Sequence, residues 1–208
     1  MGEPRNLEEI IGPGEPYSKY AVLPEGRDEF TVHIGNLYRV MLHSNYVAAW
    51  ASVVNRELAG EKLKFPEDLP TYEDYDFFVK LCRIGNVAYF NCATAINHAH
   101  SGPRLNAINS LERCVARMKI LERNWGSDHP FLQIHRMDYE KKLREVKTNR
   151  IKELIRQGDT KTARMEVEEL AQLSFSLWIL ANLPGKLASF IARQVSRLLK
   201  DLRRFVKR

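Results

Sequence analysis

Hydrophobic and polar positions divide the chain into a mixed first half and a helical second half. Thr31-Val32-His33-Ile34, led in by Phe30, suits a short strand or the approach to a helix, and residues 36–42 have helical spacing. Residues 45–54 carry a β-branched and aromatic run that predicts a buried strand. Phe77, Phe78 and Leu81 form the apolar face of a helix that opens after Pro70-Thr71, with Thr71 as a candidate cap. Val87-Ala88-Tyr89-Phe90 predicts a short strand. Beyond residue 104 the period is helical throughout. Ile108, Leu111, Val115, Met118 and Trp125 mark one helix, and residues 130–157 a second that stops at Gly158. Asp159-Thr160 caps a third through Ala163, Val167, Leu170 and Leu173. An apolar block over 173–183 is too short to span a bilayer and is broken by Pro184-Gly185. The first 30 residues, with four prolines and four glycines, predict loop and irregular structure.

The last stretch is the most patterned. Leu187, Phe190, Ile191, Val195, Leu198, Leu199, Leu202, Phe205 and Val206 alternate at helical spacing with Arg193, Arg197, Lys200, Arg203, Arg204, Lys207 and Arg208. The pattern predicts a helix lying on an anionic membrane surface, or one packing its apolar face on its own domain. The net charge of +6 belongs to this tail, since residues 186–208 hold eight Lys/Arg against one Asp. The rest of the chain is close to neutral, which argues against nucleic acid as a partner of the body. The 208 residues have 44% hydrophobic content, which describes an ordinary globular protein. Cys82, Cys92 and Cys114 show no metal-binding spacing and read as reduced thiols. No basic-then-apolar leader opens the sequence, and the expected location is cytoplasmic, peripheral on the inner face of the membrane.

Candidate chemistry gathers at Tyr72-Glu73-Asp74-Tyr75-Asp76, three acids in four positions at a helix start. The helix dipole favours acids there whether or not they act on a substrate, so an ordinary acidic helix start is the alternative reading. Farther on, His98 and His100 stand at i and i+2, which on an extended strand puts both rings on one face, a workable metal geometry.

Taken in order, several pieces over residues 36–104 resemble the acceptor-side half of a family 2 inverting glycosyltransferase of the GT-A fold. They are the run 48–57, the phenylalanine loop Leu63-Lys64-Phe65-Pro66-Glu67-Asp68-Leu69, the Glu73-Asp74 pair with its helix, the strand at 87–90 and the histidine turn at 96–102. The resemblance implies Asp74 as the base that deprotonates an acceptor hydroxyl, with Glu73 contacting the acceptor or holding the loop. It implies Tyr72, Asn45, Arg56 and Arg104 in substrate binding, and a divalent metal (Mn or Mg) near His100, with His98 where the family usually has arginine. Tyr72 and Tyr75 are candidates to stack on a sugar face, and Asp76 is read as supporting or solvated.

The implied function is transfer of a sugar from a nucleotide-sugar to a glycan acceptor, in cell-surface or polysaccharide synthesis. The family's donor-binding half and its Asp-x-Asp motif have no counterpart in the roughly 35 residues before the match, too few for a pair of βαβ units. This leaves three alternatives: a truncated gene product, half of a split enzyme served by a donor-binding partner chain, or a relic that keeps only the fold. The alternative is a non-catalytic helical adaptor, peripheral on a membrane, that docks a partner transferase. The expected architecture is therefore an irregular segment 1–35, an α/β segment 36–104 of partial GT-A type, a helical region 105–183 and a basic amphipathic helix 184–208.

Overall fold

The computed structural model describes residues 7–27, 29–62, 64–96, 109–170 and 175–206, with side chains to residue 198. The chain forms two compact units, Met1–Ala107 with Ile120–Pro130, and Ile108–Lys119 with Phe131–Arg208.

The first unit carries an antiparallel sheet of three strands in the order β1 (Glu15–Pro16), β2 (Thr31–Gly35), β3 (Val87–Phe90). Glu15 faces Val32 across the first pairing, and Val32 faces Phe90 across the second. Tyr17, Phe30 and Phe90 cluster beside it, with ring centroids 4.4–5.9 Å apart. The first 30 residues, expected to be irregular, supply helix α1 (Leu7–Ile11) and the edge strand β1, and Thr31–Gly35 takes the strand alternative that its sequence offers, as the central strand. Among the described residues Pro16 lies on the short edge strand, where a missing N–H costs little, and Gly26 in a turn.

Two short helices, α2 (Tyr38–Met41) and α3 (Arg56–Ala59), precede the principal helix of this unit, α4 (Glu73–Ile84). Tyr75, Phe77, Phe78, Val79 and Cys82 of α4 are buried, along with Leu37, Met41, Leu42 and Trp125. Burial also raises the Cys82 thiol to about 11, so it stays protonated and behaves as a small apolar group. The strand expected over 45–54 does not form. That segment is irregular with one 3₁₀ turn at Ala49–Ala51, and Trp50 and Val53 are exposed. A β-branched run makes a strand only where a neighbour offers a pairing edge, and the sheet here is completed by β1 and β3 instead. Asn55 then caps α3, accepting from the backbone N–H groups of Glu57 and Leu58.

The second unit is helical. Helix α5 (Ser110–Leu121) runs on into a π-helical turn at Glu122–Gly126 that belongs to the first unit. Helix α6 (His129–Gln157), interrupted by non-helical geometry at His135, is followed by α7 (Thr160–Glu168), α8 (Phe175–Asn182) and α9 (Gly185–Val206). The stop at Gly158 and the cap at Asp159 fall where the sequence predicts them. Gly158, at φ 85°, donates to Ile155 O, and Asp159 N–H to Leu154 O, a Schellman ending that glycine makes without steric cost. The Asp159 carboxylate then accepts from Thr162 N–H, 3.1 Å away. Ile151, Leu154 and Ile155 of α6 pack with Ala163, Val167, Leu177, Ala181 and Ala188 as one core. Among the described residues no helix is long and apolar enough to cross a membrane. The architecture is mixed, mostly helical with a small sheet.

Candidate functional site

Helix α4 is held at both ends by asparagines from the connection that follows β2. Asn36 donates to the carbonyls of Cys82 and Gly85 at the C-terminal end, satisfying groups that lack partners inside the helix. Asn45 approaches the N-terminal end, its Nδ2 3.3 Å from Asp74 Oδ2, while its own Oδ1 accepts from Val47 N–H. The other Asp74 oxygen accepts from Tyr75 N–H at 2.7 Å. Burial pushes the Asp74 carboxyl above its ordinary value and the Glu73 charge adds to this, against hydrogen bonds from Tyr75 N–H, Asn45 and its own backbone N–H that favour the anion. The result is a half-buried carboxylate fixed in place and more basic than a free aspartate.

The residue before the pair is strained. Tyr72 occupies the left-handed region (φ 62°, ψ 24°), where an L-residue pays roughly 1–2 kcal/mol. Among the described residues it is the one non-glycine at positive φ. It also stands at the cap position without a side-chain capping bond, so Thr71, the expected cap, is not the cap. Tyr72 and Tyr75 meet edge to face with centroids 6.4 Å apart, and the buried Tyr75 hydroxyl donates to Met41 O. Tyr75 is therefore committed to the core, and of the two candidate tyrosines Tyr72 is the one left half-buried next to the Glu73-Asp74 pair. Below it Phe65 stacks on Phe77 with centroids 4.4 Å apart, anchoring the phenylalanine loop to α4.

Asp76, read from the sequence as supporting or solvated, is fully buried. It takes Lys80 Nζ at 2.5 Å, Asn124 Nδ2 at 2.8 Å and Arg123 Nη1 at 3.4 Å. Arg123 also reaches Asp68 at 2.5 Å, so the loop leading to Tyr72 is tied to the π-helical turn. A second buried acid, Asp128, takes Arg83 Nε at 3.0 Å. The Tyr38 hydroxyl, with one proton to give, lies 2.9 Å from Asp128 and 2.8 Å from Asn124 O, and burial raises its pKa. This network is invisible in local sequence, because its partners are about 50 to 90 residues apart. The one clue is the i, i+4 spacing of Asp76 and Lys80.

Of the other expected site residues, Arg56 opens α3 as an exposed side chain, and no described contact draws it to Asp74. Glu73 is half-buried in the first turn of α4. His98, His100 and Arg104 lie outside the described residues. Among those described, no group of three or more His, Cys, Asp or Glu side chains is placed to hold a metal ion. The geometry gathers Tyr72, Glu73 and Asp74 at the start of α4, with Asn45 reaching Asp74 from the connection after α2. No protein-family model, curated protein or solved structure matches the chain.

Proposed function

We propose that the chain is the acceptor side of a GT-A-type inverting glycosyltransferase, with Asp74 as the general base. Support comes chiefly from one observation: Asp74 is half-buried, raised in pKa, and steered by Asn45 next to a strained Tyr72. A base is most effective when its pKa is drawn toward the working pH and its position is fixed. Strain held beside it suits a site where geometry is kept at the expense of stability.

In the proposed reaction an acceptor hydroxyl sits against Asp74. Its oxygen forms a bond to the anomeric carbon of the donor sugar, and its proton passes to the Asp74 carboxylate. The bond from the anomeric carbon to the nucleotide diphosphate breaks, and the electron pair leaves with the diphosphate on the opposite face, which inverts the centre. Tyr72 offers a ring face for the acceptor sugar, and Glu73 a hydrogen-bond acceptor for a neighbouring hydroxyl. The nucleotide-sugar site is assigned to a donor-binding partner or to a longer form of the chain.

An acceptor site can be assayed without its donor. The full chain is expected to retain a restricted set of glycans on an array, and Tyr72→Ala is expected to weaken that binding about tenfold through loss of a stacking face. Failure of the chain to retain any glycan, or retention indifferent to Tyr72→Ala, would overturn the proposal.

A further inference from the structure

Helix α9 is amphipathic in an inverted sense. The side facing its own unit is made of small residues: Ala188 is fully buried, and Ser189, Ala192 and Ser196 are half-buried beside it. Ser189 Oγ donates to Arg156 O at 2.8 Å, and Arg156 Nη2 donates to Ser196 Oγ at 3.0 Å. Arg193 reaches the same Arg156 carbonyl, a cation closing the end of α6. The approach is so close that a Cβ on Gly185 would stand 2.3 Å from Gly158 O.

Four of the large apolar residues point away, while Ile191 is half-buried. Leu187, Phe190, Val195 and Leu198 are 47%, 61%, 47% and 63% exposed, and at helical spacing they fall on one stripe. The preceding helix α8 likewise leaves Phe175, Trp178 and Ile179 exposed, the first two rings stacked 5.9 Å apart. Lys186, Arg193 and Arg197 follow one edge of the α9 stripe at i, i+7 and i+11, and the sequence keeps the register with Lys200 and Arg204. Internal packing therefore uses mainly the small-residue face and leaves Leu187, Phe190, Val195 and Leu198 exposed, with Ile191 of the same stripe half-buried and cations along the border.

We propose that α9, together with the aromatic face of α8, docks this unit on an anionic lipid surface. The stripe enters the boundary between headgroups and acyl chains, and the row of Lys and Arg meets the lipid phosphates. Charge selects this occupant. A second copy of the chain would bring the same basic edge against itself, whereas residues 186–208 with eight cations and one acid complement an anionic bilayer. The inference is independent of the reaction proposed above.

Cosedimentation of the full chain with vesicles tests it. Binding is expected to phosphatidylcholine vesicles containing phosphatidylglycerol, to be about tenfold or more weaker to pure phosphatidylcholine, and to weaken further as salt is raised. Phe190→Glu with Leu198→Glu should reduce binding about tenfold or more while leaving the helical circular dichroism unchanged, since both side chains are exposed. Lys186→Glu with Arg197→Glu should remove the preference for the anionic lipid. Equal binding to both vesicles, unaltered binding by the apolar double variant, or a dimer by light scattering that this variant converts to monomer would each overturn the proposal.

Discussion

The two units spend their interior in opposite ways. Around α4, full burial is granted to Asp76, and Asp128 and Asn124 are nearly as deep. On α9 itself, burial goes to Ala188, with Ser189, Ile191, Ala192 and Ser196 half-buried, while Leu187, Phe190 and Leu198 stay exposed. Lys142 is the second unit's buried charge, and it meets its partner Glu145 one helical turn away at 2.9 Å. In the first unit the buried charges instead join distant segments. A buried polar network contributes little net stability but penalises any other arrangement of its partners. That is the property needed to hold an irregular loop and a left-handed Tyr72 in one geometry. A small-residue seam does a different task, bringing two helix backbones close and leaving the bulky face for something else.

The sharpest way to break this contrast is Asp76→Ala. It should cost about 3 kcal/mol in chemical denaturation, because Lys80, Arg123 and Asn124 lose a shared acceptor. A loss near zero would mean that the network does not hold the loop. Next comes the seam. Gly185→Ala should cost about 2 kcal/mol, since the new methyl meets backbone rather than a yielding side chain. Smaller is the effect of Asn45→Ala on Asp74. Removing a hydrogen bond that favours the anion should raise the Asp74 pKa further, read from its carboxyl carbon by NMR. Smallest is Phe190→Glu, expected within about 0.5 kcal/mol in stability despite its apolar wild-type residue.

Asp74 also gives a pH dependence of known sign. Its folded pKa lies above the ordinary 3.8, so between the two values the folded state holds a proton that the unfolded state has lost. Stability from this group is therefore full below about 3.8 and falls as pH rises through the raised native value. Denaturation curves of Asp74→Asn should lack that fall, so the variant gains on the wild type as the pH passes upward through the window.

Local pattern made the helix at Glu73, the strand at Val87, the stop at Gly158 and the cap at Asp159 legible, because each depends on neighbours in sequence. Residues 45–54 were not legible: their β-branched content suits a strand, but strand formation depends on an edge that β1 and β3 take. Of the site, Asn45 Nδ2 lies 3.3 Å from Asp74 Oδ2, and Arg56 is an exposed side chain at the start of α3. The role of Asp76 was hidden because its partners come from residues 123 and 124. In the tail the spacing gave the amphipathic helix but not its orientation. Only the seam at Gly158 and Gly185 shows which face turns inward.

The most direct test of the central claim is sugar transfer from a panel of nucleotide-sugars to the glycans the chain retains, with Mn²⁺ present and the donor-binding partner supplied. The wild type should form an inverted glycosidic bond, and Asp74→Asn should lower kcat by about 10²–10⁴-fold with acceptor binding preserved. Transfer that proceeds at the wild-type rate in Asp74→Asn would contradict the assignment of Asp74 as the base.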